Sequence, residues 1–177
     1  MLPHVVNDPV ASLRPWPIDV RLGRTVVHIP ALPAADWLAV LMTEFTIWDL
    51  IPGLCPDDED IAIQALREGQ LTADEFQDAC LQVITTATGR PWWFAVRLIQ
   101  VAAASWEVVG GNLARSSVDA SRISIGQWLD ITLLVCLEGM KQEQTTMFLS
   151  QLEAPPRGHE EEAKELEMSV SEFMALR

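Results

Sequence analysis

The chain has little of what catalytic, metal and cofactor sites are built from. Its three histidines, His4, His28 and His159, lie far apart, so local spacing yields neither an i,i+4 ligand pair nor a nucleophile beside a base. The glycines form neither GxGxxG nor a phosphate-binding loop. The adjacent pair Gly110-Gly111 follows an expected helix instead of preceding one, which is the wrong side for a phosphate. Cys55, Cys80 and Cys136 are an odd number without a CxxC pair. They read as small core residues of a reducing compartment, not as a disulfide framework or a zinc site. Basic residues are scarce too, 12 against 25 acidic ones, giving a formal net charge of −13. A nucleic-acid surface needs clustered Lys and Arg, so that partner is not expected. Together these shortages point away from an enzyme, a cofactor or a bound metal.

Two further absences concern location. The segment MLPHVVNDPV has no basic stretch followed by an apolar run, so no signal peptide is expected. The most apolar stretch, Trp92 to Val109, carries Arg97, Gln100 and Glu107, which are costly at mid-bilayer, and it is at the short limit for spanning. No membrane partner is expected.

What is present is apolar material in helical register. With 177 residues, 49% of them hydrophobic, and seven tryptophans, the chain can bury a sizeable core in one domain. RPWWFAVRLIQVAAASWEVVGG, Arg90 to Gly111, has one narrow polar stripe through Arg97, Gln100, Ala104 and Glu107. It predicts a central helix over about 91–110, covered on most sides and stopped by Gly110-Gly111.

Other segments supply the cover. Ile18, Val20 and Leu22 alternate with Asp19 and Arg21, and Gly23-Arg24 suits a two-residue hairpin turn. Closing it pairs Leu22 with Thr25, Val20 with Val27 and Ile18 with Ile29, all on one face. Helices are predicted over Ala34 to Ile51, ended by Pro52-Gly53, over Ile61 to Arg67, and from Ala73 to near Gly89 behind the capping box Thr72-Ala73-Asp74-Glu75. A second capping box, Ser124 to Gln127, opens a helix ending near Gly139, and another helix spans Lys141 to Glu153. Asp57-Asp58-Glu59-Asp60 lacks the Gly and distal Glu of a calcium loop and reads as acid favouring a helix N-terminus. The fold class expected is mainly α, a helical bundle with a small N-terminal β-hairpin. Residues 1–17, with four prolines, form an extended arm, 18–156 the body, and 157–177 an acidic, loosely held tail whose third capping box is Ser169 to Glu172.

Two places could engage a partner. Trp92, Trp93 and Phe94 start the central helix pointing about 100° apart, so they cannot all face one core. Phe173, Met174 and Leu176 in the tail have the pattern of a short helix-in-groove motif.

Three stretches together resemble the tail assembly chaperones of long-tailed, siphovirus-like phages of actinobacteria. They are IDVRLGRTVVHIPALPAADWLAVL, GRPWWFAVRLIQVAAASWEVVGGNL and ISIGQWLDITLLVCLEGMKQEQTTMFLSQLEAPP. The likeness covers roughly residues 16–176 and rests on pattern and order. It implies a small acidic helical protein of the host cytoplasm that holds the tape-measure protein, helps recruit tail tube subunits and leaves before the virion is complete. It also implies a longer form made by programmed frameshift, and leaves room for a homo-oligomer. The rival expectation is a permanent virion component, a tail-tip or connector subunit that adds to its neighbours through the arm and hairpin. A host-directed binding protein is a third, less specific one.

Overall fold

Strict alternation and a two-residue turn make the hairpin that the sequence predicts. In the computed structural model, which describes residues 15–43, 46–56 and 59–161, β1 (Ile18–Leu22) pairs antiparallel with β2 (Thr25–Ile29) in the expected register. Ile18, Val20, Leu22, Val27 and Ile29 are buried, while Asp19, Arg21, Val26 and His28 face outward. Gly23 has φ +62°, the left-handed value a II′ turn needs at its first central position. A side chain there would also strike Gln70, whose Oε1 accepts the Arg24 N–H at 3.3 Å, so the turn is fixed against the body.

Helices account for 64% of the structure, making the chain mainly α. They are α1 (Ala34–Leu41), α2 (Leu50–Leu54), α3 (Glu59–Arg67), α4 (Ala73–Thr88), α5 (Trp92–Ala104), α6 (Trp106–Arg115), α7 (Ile125–Leu137) and α8 (Gln142–Glu153). Described residues through Gly139 form one compact unit, and those from Met140 a second. Thus α8 belongs to the second unit. In the first unit, α4 touches β1, α5 and α7, and its Phe76, Cys80, Val83 and Ile84 are buried. Its capping box is complete: Thr72 Oγ1 accepts the Glu75 N–H at 3.2 Å, and the Glu75 carboxylate accepts the Thr72 N–H at 2.8 Å. The Ser124 hydroxyl likewise accepts the Gln127 N–H at 3.1 Å to open α7.

Two expected helices are each divided in the structure. The segment expected to be helical from Ala34 to Ile51 ends after Leu41, where Thr43 Oγ1 donates to the Val40 carbonyl at 2.7 Å. The chain restarts in a 3₁₀ turn, Ile47–Asp49, where the Asp49 carboxylate accepts both the N–H and the hydroxyl of Thr46, at 2.9 and 2.8 Å. Pro52 then lies in the first turn of α2, where its missing N–H leaves no bond unmade. Trp48 on the 3₁₀ turn stacks on Phe76, centroids 5.2 Å apart, and is 40% exposed instead of joining a helix stripe. Phe45, within the helix expected over Ala34 to Ile51, lies outside the described residues.

The central helix expected over 91–110 is α5 and α6, meeting at Ser105. Ser105 leaves helical geometry (φ −117°, ψ 28°), and its carbonyl accepts from both Val108 and Val109 at 3.0 Å. Gly110-Gly111 therefore does not end a helix, and α6 runs through both residues to Arg115. The reorientation lets α6 pack on α7 with Val109 and Leu113 buried. The polar connection after α6 is structural as well. The first N–H groups of α1, which lacks a side-chain cap, donate to the carbonyls of Ile123 (from Ala34, 2.8 Å) and Ala120 (from Ala35, 3.0 Å).

Candidate partner-binding surface

The aromatic triplet at the start of α5 is mostly interior. Trp93 and Phe94 are 2% and 3% exposed, so of the three expected partner contacts these two present almost no surface in this fold. The physical reason is that α5 packs on both α4 and α7, so more than one of its faces is covered. Trp92 is half-buried and meets Trp93 edge-on at 5.7 Å. Arg90 lies over the Phe94 ring, 4.9 Å from its centroid, and pairs with Asp130 of α7 at 2.7 Å. That contact ties the start of α5 to α7. Phe173, Met174 and Leu176, the other expected site, lie outside the described residues.

The surface that sequence reading missed is at the α5–α6 junction. Every residue from Ala103 to Val108 is exposed, Trp106 to 47% and Val108 to 65%. Trp106 lies along α6 over Gly110: a β-carbon at 110 would stand 2.9 Å from its Cε2. Glycine thus lets a large aromatic lie low on the helix while keeping nearly half its surface in water. One signal was available, since Trp106 and Gly110 are four apart and meet on any helix that continues through both. Leu134 on α7 is also exposed, with Asp130 and Glu138 one turn to either side.

Among the described residues no group of three or more His, Cys, Asp or Glu is placed to hold a metal. Burial pushes the Cys80 thiol up to about 12 and raises that of Cys136, so both remain neutral thiols at pH 7. Cys55, Cys80 and Cys136 are all free. The Glu75 carboxyl is held below its usual range, first by the Thr72 N–H and then by the Thr72 hydroxyl. This is helix capping. No helix among the described residues is long and apolar enough to cross a membrane. No family model, curated protein or solved structure matches the chain.

Proposed function

We propose that this chain is a phage tail assembly chaperone that binds the tape-measure protein in the host cytoplasm, helps recruit tail tube subunits and is absent from the finished virion. The observation that carries the reading is Trp106, nearly half exposed on a chain of net charge −13. An aromatic held low on a helix makes an anchor for the apolar face of a partner helix, because such side chains supply much contact area at little entropic cost. Excess negative charge keeps the resulting complex soluble through mutual repulsion. The resemblance of the three sequence stretches supplies the identity of the partner. The role is binding, without catalysis or cofactor.

The test is co-expression with the tape-measure protein, alongside peptide mass spectrometry of infected-cell lysate and purified virions. Wild type keeps the tape-measure protein soluble, Trp106→Ala and Val108→Ser together lose that effect while remaining folded, and the chain is abundant in lysate but missing from virions. Stoichiometric presence in virions would overturn the reading in favour of a permanent tail-tip or connector subunit.

A further inference from the structure

The hairpin turn fixes which backbone groups of each strand face outward. A two-residue turn makes Leu22–Thr25 a hydrogen-bonded pair, and such pairs alternate along an antiparallel ladder, so Val20–Val27 and Ile18–Ile29 are the next two. The N–H and C=O groups of Val26 and His28 then point away from β1, and those of Asp19 and Arg21 point away from β2. The first half of this is visible directly: the outward carbonyl of His28 accepts a hydrogen bond from Cys55 Sγ at 3.6 Å. That hydrogen bond occupies part of the β2 edge; α3 packs on β2 and α4 on β1, whose Ile18, Val20 and Leu22 are buried while Asp19 and Arg21 are exposed. On the β1 edge, no hydrogen bond reaches the backbone of Asp19 or Arg21 from outside the hairpin among the described residues.

We propose that β1 pairs antiparallel with β1 of a second copy of this chain, with Val20 on the twofold axis. Only residues whose groups point outward can exchange hydrogen bonds, which restricts the register to steps of two. Centring on Asp19 opposes two carboxylates, and centring on Arg21 opposes two guanidinium groups. Centring on Val20 sets Asp19 of each copy against Arg21 of the other, as two hydrogen-bonded pairs with opposite charges on the outward face. His28 supports this arrangement, since its Nδ1 lies 2.7 Å from Asp19 Oδ1 and holds the carboxylate on that face. Ile18, Val20 and Leu22 remain on the core side, so pairing exposes no apolar residue.

Sedimentation equilibrium of the full chain tests this, with circular dichroism to confirm folding. Wild type shows a monomer–dimer equilibrium. Asp19→Arg alone and Arg21→Asp alone are folded and monomeric, because each sets like charges against each other across the axis. Mixing the two variants restores a 1:1 heterodimer, since every opposed pair is then again of opposite sign. Arg21→Pro, which removes one outward N–H where an edge strand tolerates proline, is also folded and monomeric. A wild-type chain that stays monomeric to its solubility limit overturns the proposal. So does a dimer that survives either charge reversal, or a mixture of the two variants that fails to associate.

Discussion

The indole of Trp106 rests on Gly110, one turn further along α6, with no room between them for a β-carbon. Gly110 therefore determines how low Trp106 lies on the surface, and through it the shape of the candidate partner-binding surface.

Replacing Gly110 with alanine puts these two effects in opposition. Helix propensity gains roughly 1 kcal/mol, but the new methyl displaces the indole. Expected is a Tm no lower than wild type with binding to the tape-measure protein weakened about tenfold, as for the displacement of an aromatic anchor. Calorimetric titration beside a thermal melt separates the two. Unchanged affinity would show that the position of Trp106 does not matter to the partner.

Two other helical glycines should respond to alanine with opposite signs. At Gly126 a β-carbon would stand 2.9 Å from the Thr88 carbonyl oxygen, a backbone atom that cannot swing aside, whereas at Gly111 nothing lies within 4 Å. Gly126→Ala is expected to destabilise by about 1–3 kcal/mol through overpacking of α7 on α4. Gly111→Ala is expected to stabilise by roughly 0.5–1 kcal/mol through propensity alone. Urea midpoints moving in opposite directions bear this out, and two shifts of the same sign refute it.

Cys80 gives the fold an alkaline limit. Burial raises its thiol from 9.0 to about 12, against a hydrogen bond to Ile51 that lowers it. The folded state holds this proton while the unfolded chain releases it near 9.0. The associated stability is therefore complete below that value and is lost as pH rises towards the folded one. Urea unfolding at about pH 8 and about pH 10, either side of an unperturbed thiol, should show a loss for wild type that Cys80→Ala reduces. Equal losses in both would place the alkaline sensitivity elsewhere.

Much of the fold was legible because its signals are local. The hairpin could be read to its register, since a period of two and a two-residue turn leave one consistent pairing, and Thr72–Glu75 marks the start of α4 in sequence as in space. The breaks at Leu41 and Ser105 were not legible. Apolar residues continue in helical register through both, and the interruptions come from hydroxyl-to-carbonyl bonding at Thr43 and from α6 turning onto α7. The exposure of the aromatics was not legible either. Trp93 and Phe94 are buried where α5 packs on α4 and α7, and only that packing shows that Trp48 and Trp106 are left partly outside.

The bonds from Ala34 and Ala35 to the carbonyls of Ile123 and Ala120 also set an order of events on the ribosome. At about 5–20 residues per second, α1 leaves the exit tunnel several seconds before its acceptors are made. α4 carries its own cap and can close as it emerges, whereas the first donors of α1 are left to water until the loop is made. A chain truncated before residue 120 therefore lacks both acceptors, and water takes their place at the first two N–H groups of α1.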